Sequence, residues 1–234
     1  MKNIFRYACL ILILLQHPAY SQNVQTINDW VNYKKYADAD KSLPALASGE
    51  NRVVFMGNSI TESWGSMDTA FFADNGYIDR GISGQTSSQM LLRFRQDVID
   101  LKPTVVVILA GTNDIAENAG PISLENVMDN IISMVQLAEA NSIKVILSSV
   151  LPVYDFPWHK GLQPAERIVK LNSMIKSFCD ENKIPYVDYY PKMVDERKGL
   201  DKKYTEDGVH PNFDGYKVMD SLVQEKIKMV LKSK

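Results

Sequence analysis

The sequence predicts an α/β protein, a three-layer α/β/α sandwich on a five-stranded parallel sheet. Short β-rich runs alternate with longer segments of helical periodicity, the pattern that builds such layers. Two of the runs, 104–110 (TVVVILA) and 143–149 (IKVILSS), are almost continuously apolar, as parallel strands covered on both faces must be. A third observation concerns polar residues. Gly57-Asn58-Ser59, Ser83-Gly84-Gln85 and Gly111-Thr112-Asn113-Asp114 each follow the end of an expected strand, on the edge where sheets of this class bind ligands.

The first 21 residues are set apart from the fold. Lys2 and Arg6 precede an apolar run over 8–15 that is too short to span a bilayer, and Ala19-Tyr20-Ser21 offers the small-x-small pattern ahead of a cleavage point. Residues 1–21 are therefore expected to be a cleaved signal peptide. The chain is expected to be exported, periplasmic or extracellular, with no stable membrane anchor and one domain over 22–234. Cys9 lies inside the apolar run and lacks the small residues that precede a lipidated cysteine.

Without Lys2 and Arg6 the chain carries 24 basic against 28 acidic side chains, a net charge of −4. No basic stripe exists to displace counterions from a polyanion, which argues against a nucleic-acid partner. Only Cys179 remains, so no internal disulfide can form, and its place on a helical pattern marks it as a core residue. No His/Asp cluster has metal-ligand spacing, and there is neither a Walker lysine nor a GxGxxG after the first strand. No cofactor is expected.

In chain order, strands are predicted over 52–57, 77–82, 104–110, 143–149 and 184–188. A helix is expected within 29–46, ahead of the first strand. Helix 87–101 places Met90, Leu91, Phe94, Val98 and Leu101 at three- and four-residue spacing, and helix 123–140 starts after Ser123 as N-cap. Helices over 165–182 and 213–233 follow. The methionines Met90, Met128, Met134 and Met174 fall on inward helical faces, and Trp64 reads as packing. With the flavodoxin-like order 2-1-3-4-5, the first strand lies between the second and third. Ser59 is then flanked by Gly84 and Asn113.

That convergence is suited to acyl transfer. A serine hydroxyl attacks only when a base takes its proton, and the chain beyond the leader holds two histidines, His159 and His210. His210 lies in Asp207-Gly208-Val209-His210, where a carboxylate three residues upstream can reach Nδ1 and leave Nε2 for Ser59. The Ser59 N–H, the Gly84 N–H and the Asn113 side-chain amide are candidate donors for a developing oxyanion. His159 sits in the aromatic loop Pro152–Lys160, with Tyr154 and Trp158. All three are candidate substrate-lining residues. Ser59 also has a simpler possible role as a helix cap, and Asp114 is expected to be structural.

Gly-Asn-Ser-Ile-Thr at 57–61, Gly-Ile-Ser-Gly-Gln-Thr at 81–86, Gly-Thr-Asn-Asp at 111–114 and Asp-Gly-Val-His-Pro at 207–211 resemble the four signature blocks of the SGNH (GDSL-like) hydrolases, in the family order. Asn58 stands where the name-giving motif has aspartate. The resemblance is nearest to the platelet-activating-factor-acetylhydrolase-like subgroup. It implies a serine esterase with Ser59 as nucleophile, Asp207 and His210 completing the triad, and Ser59, Gly84 and Asn113 as the oxyanion hole. The expected substrate is a short-acyl ester, an O-acetyl group on a small molecule or glycan. The alternatives are a lysophospholipase- or thioesterase-type acylhydrolase and a catalytically silent glycan-binding protein.

Overall fold

The computed structural model describes residues 26–47 and 49–232. The expected leader, with Cys9, lies outside these residues, as does residue 233 at the end of the last expected helix. Five parallel strands, β1 (Val53–Gly57), β2 (Tyr77–Gly81), β3 (Val105–Ile108), β4 (Lys144–Ser148) and β5 (Tyr186–Val187), pair in the order β2-β1-β3-β4-β5. In register, Val54 faces Ile78 on one side and Val106 on the other. The loops that leave β1, β2 and β3 therefore emerge side by side, at the point where strand order reverses.

Successive strand residues point to opposite faces, and both faces are covered. Val54, Met56, Val106, Ile108, Val145 and Leu147 pack against α5 (Ser87–Asp97), α7 (Leu124–Ala140) and α8 (Pro164–Asn182). Val53, Phe55, Val105, Val107 and Ile146 pack against α3 (Ser59–Met67), α4 (Thr69–Asn75) and α9 (Phe213–Lys232). This two-sided burial is why the β3 and β4 runs have no polar alternation. Met90, Met128 and Met134 are buried in the first cluster, with Met174 packed at its margin. Cys179 is buried there too, and burial pushes its thiol up to about 12, which makes it inert. Trp64 is a packing residue: it stacks between Phe71 and Tyr216, and its Nε1 donates to Asp220 at 2.8 Å.

Several boundaries depart from expectation for local reasons. The fifth strand shrinks to two residues, because the Ile184 N–H closes α8 on the Cys179 carbonyl and Pro185 has no N–H to give to a ladder. The helix expected over 87–101 stops at Asp97, and the chain continues as a tighter 3₁₀ turn over Ile99–Leu101. The single helix expected within 29–46 is two short ones, α1 (Ile27–Val31) and α2 (Ala37–Ser42), with Asn32 in the left-handed region at φ 58 ending the first. The Ser123 cap is present: its hydroxyl accepts the Asn126 N–H at 3.1 Å.

Candidate active site

The position of Ser59, the candidate nucleophile, is made by an abrupt passage from β1 into α3. Room for it comes from Gly81, where a Cβ would lie 2.1 Å from the Glu62 backbone nitrogen, so any side chain at the end of β2 would push α3 away. Asn58 caps the helix, its Oδ1 accepting the Ile60 N–H at 2.9 Å. Capping therefore falls to Asn58, and the Ser59 hydroxyl is left for other chemistry. It lies 2.9 Å from His210 Nε2.

The other end of the imidazole is held within its own turn. His210 Nδ1 is 2.6 Å from Asp207 Oδ2, while Asp207 Oδ1 accepts the Val209 and His210 N–H groups, each at 2.8 Å. One carboxylate oxygen thus shapes the turn and the other orients the ring. Thr205 fastens the loop: its hydroxyl donates to the His210 carbonyl at 2.7 Å and accepts the Gly208 N–H at 3.0 Å. Burial pushes the Asp207 carboxyl up, but the bonds from the His210 ring and from two backbone N–H groups outweigh it and hold it below the usual carboxylate range. A carboxylate that stays charged keeps the imidazole in the tautomer with its lone pair on Nε2.

The predicted oxyanion donors stand on neighbouring loops. Gly84 has φ +78, and Asn113 lies in the single-turn helix α6 (Thr112–Ile115), entered through Gly111 at φ +121. The Asn113 Nδ2 donates one N–H to the Gln85 carbonyl at 3.0 Å, which leaves its second N–H free for a ligand. Among the described residues, neither the Ser59 N–H nor the Gly84 N–H meets an acceptor. Three such donors are the equipment of an oxyanion hole. Asp114 does structural work, accepting the Ser87 N–H at 2.9 Å and the Ser87 hydroxyl at 2.5 Å. Burial is the larger influence and raises its carboxyl above the usual range.

The aromatic loop divides. Trp158 stands over the base, its ring 6.2 Å from that of His210 and tilted by 35°. Phe156 backs it at 5.2 Å, and the Trp158 Nε1 donates to Asn118 Oδ1 at 3.0 Å. Asn118 in turn donates to the Gly84 carbonyl at 3.3 Å. Tyr154 turns elsewhere, under the Arg197 guanidinium at 5.0 Å, in a cavity of about 460 Å³ shared with Glu166 and Lys198. His159 places Nδ1 2.9 Å from the Ala116 carbonyl, which pins the loop to α6. The sequence reading missed Thr205, Asn118 and the buried pair Gln85 and Arg93. Thr205 was findable, since a threonine two residues before a turn aspartate is a recognised turn-former. The other three act through distant partners.

The model of the GDSL-like lipase/acylhydrolase family matches residues 55–218, and the chain belongs to that family. It is a serine ester hydrolase. A protein of known crystal structure from Bacteroides fragilis NCTC 9343 is 51% identical with a TM-score of 0.86, covering 87% of this chain and 99% of that one. Esterase TesA of Pseudomonas aeruginosa is 24% identical over 215 residues, 90% of each chain. The Bacillus subtilis lipoprotein YqeF is 34% identical over 89 residues, 36% of this chain and 37% of its own length, so this chain aligns with little more than a third of that relative.

Proposed function

We propose that the protein is exported and removes short acyl groups, acetyl above all, from the hydroxyls of a carbohydrate. Ser59 Oγ attacks the ester carbonyl as His210 Nε2 takes its proton, and the carbonyl oxygen becomes an oxyanion facing the Ser59 and Gly84 N–H groups and the Asn113 amide. The intermediate collapses, the C–O bond to the leaving alcohol breaks, and His210 returns the proton to that alcohol. Water then attacks the acyl-serine as His210 takes its proton, the acyl–Oγ bond breaks, and His210 returns the proton to Ser59 Oγ as the acid leaves.

The observation that carries the substrate reading is the placement of Trp158. The leaving alcohol must come within reach of His210 Nε2 to receive its proton, and Trp158 is the aromatic ring beside that imidazole. A half-exposed indole, fixed by Phe156 and Asn118, offers the C–H face of a sugar ring an apolar platform. The short-acyl preference rests on the sequence, where the segments between elements are mostly short and no long apolar lid segment appears. Export rests on Lys2, Arg6, the apolar run over 8–15 and Ala19-Tyr20-Ser21. That YqeF is itself a lipoprotein agrees with it.

Acetate release from acetylated sugars and polysaccharides, with Ser59→Ala as the blank, tests the reading. Hydrolysis of acetyl, butyryl and octanoyl esters of one chromophore is expected to fall in that order. Faster turnover of octanoyl than of acetyl would overturn the short-acyl preference, and full activity in Ser59→Ala would overturn the mechanism.

A further inference from the structure

The two short helices α1 and α2 precede residue 55, where the family match begins, yet they are fastened to the heart of the site. The Val31, Trp30 and Tyr33 carbonyls accept the side-chain amides of Gln85 at 2.7 Å, Gln89 at 2.7 Å and Gln96 at 2.6 Å. Tyr36 donates to the Gly81 carbonyl. Lys35 pairs at 2.5 Å with Glu62, whose other oxygen accepts the Ser83 N–H at 2.7 Å. These bonds run from one strap, residues 27–42, onto α3, α5 and the loop that carries Gly84.

Gln85 is where they meet the chemistry. It is 2% exposed, and each of its polar groups faces a different element. Nε2 donates to Val31 O in the strap, Oε1 accepts Arg93 Nε at 2.5 Å, and the backbone carbonyl accepts Asn113 Nδ2 at 3.0 Å. Arg93, fully buried, extends the chain of contacts to the Gly57 carbonyl at 2.9 Å, two residues before Ser59. A donor on one side and a carbonyl on the other leave the Gln85 amide one orientation. The carbonyl that aims the Asn113 amide is therefore set by a side chain clamped between strap and Arg93.

We infer that Gln85 is a positioning residue through which the 27–42 strap aims the Asn113 amide at the developing oxyanion, so that the strap governs turnover while touching no substrate. The inference rests on the reading of Asn113 as an oxyanion donor. Gln85→Glu is the discriminating change. It keeps an acceptor for Arg93 but sets a carboxylate oxygen against the Val31 carbonyl, and two buried acceptors cannot satisfy each other.

The experiment is a double-mutant cycle of Gln85→Glu with Asn113→Ala in the full chain, read as kcat and KM on a chromogenic acetyl ester, with unfolding midpoints. Gln96→Leu cuts a strap bond of the same kind away from the Gly84 loop and serves as control. In the otherwise native chain, Gln85→Glu is expected to lower kcat by about tenfold, less than the full loss of a donor, with KM within about twofold. In the Asn113→Ala background it is expected to cost less than about twofold, because its effect passes through Asn113. Gln96→Leu is expected to lower the midpoint and keep kcat. If Gln85→Glu does not fold, Gln85→Met, of similar length and uncharged, takes its place in the cycle. An equal loss of kcat in both backgrounds, a rise in KM alone, or a loss matched by Gln96→Leu overturns the coupling. Full activity in Asn113→Ala overturns the oxyanion reading instead, and the two failures are distinguishable.

Discussion

On the Ser59 side of the site, Asn113, Gln85 and Arg93 are almost wholly buried, and their hydrogen bonds reach across as many as 54 residues of sequence, to Val31 and Gly57 as well as to one another. On the His210 side, the Asp207 and His210 side chains are 43% and 31% exposed, and the bonds that shape their turn come from the short segment 203–212. The difference follows the chemistry. Oxyanion donors stabilise charge only if their dipoles are already in place, so their loops are locked into the core. In the proposed mechanism His210 carries a proton from Ser59 to an alcohol and then takes one from water. A small self-contained turn keeps its orientation without enclosing it.

That contrast can be broken or sharpened in order of expected effect. Removing either partner of the proton transfer is the largest: Ser59→Ala or His210→Ala is expected to lower kcat by about a millionfold, with the double variant little worse, measured against an unchanged unfolding midpoint. Asp207→Asn comes next, at about ten-thousandfold. It retains an Oδ1 acceptor for the Val209 and His210 N–H groups, so the turn should persist, and a collapse of the midpoint would show that the base side is not self-contained. Asn113→Ala is expected to cost about a hundred- to a thousandfold in kcat and to lower the midpoint as well, since it leaves the buried Gln85 carbonyl without its donor.

Smaller effects separate local from global support. Thr205→Val removes a buried hydroxyl that bonds both ends of the base turn, a loss of about 1–3 kcal/mol in local stability. A roughly tenfold fall in kcat is expected, recovered by Thr205→Ser. On the buried side, burial raises the Asp79 carboxyl to about 7, against the N–H bond from Gly81 that lowers it. A carboxyl raised on folding binds more protons in the native state than in the unfolded one, so its contribution to stability falls as pH climbs from about 4 to 7. Asp79→Asn is expected to flatten that fall in midpoint while leaving activity in place. An unaltered pH profile of the midpoint would remove Asp79 from the titration.

The same division explains what could be read in the sequence. Asp207 and His210 were legible because their partnership is written within four residues. Ser59, Gly84 and Asn113 were legible because each follows a strand whose apolar run marks its end, and the strand order brings the three loops together. Strands β3 and β4 declared themselves by burial on both faces. The helix break after Asp97 and the reduction of β5 to Tyr186–Val187 depend on single dihedral angles and single capping bonds, which periodicity does not encode. Gln85, Arg93 and Asn118 were missed because a glutamine, an arginine or an asparagine on a polar segment reads as solvated until the fold supplies a carbonyl for it to meet.

The pairing of Ser59 with His210 joins positions 151 residues apart, with the nucleophile set in the first strand loop and the base just ahead of the last helix. During synthesis the serine leaves the ribosome early, and the oxyanion loops follow it. The base follows β5 in the chain, and it reaches Ser59 only after the sheet between them has assembled. A chain halted before Asp207 and His210 has no such base, so the proposed hydrolysis waits until that turn has joined the assembled sheet.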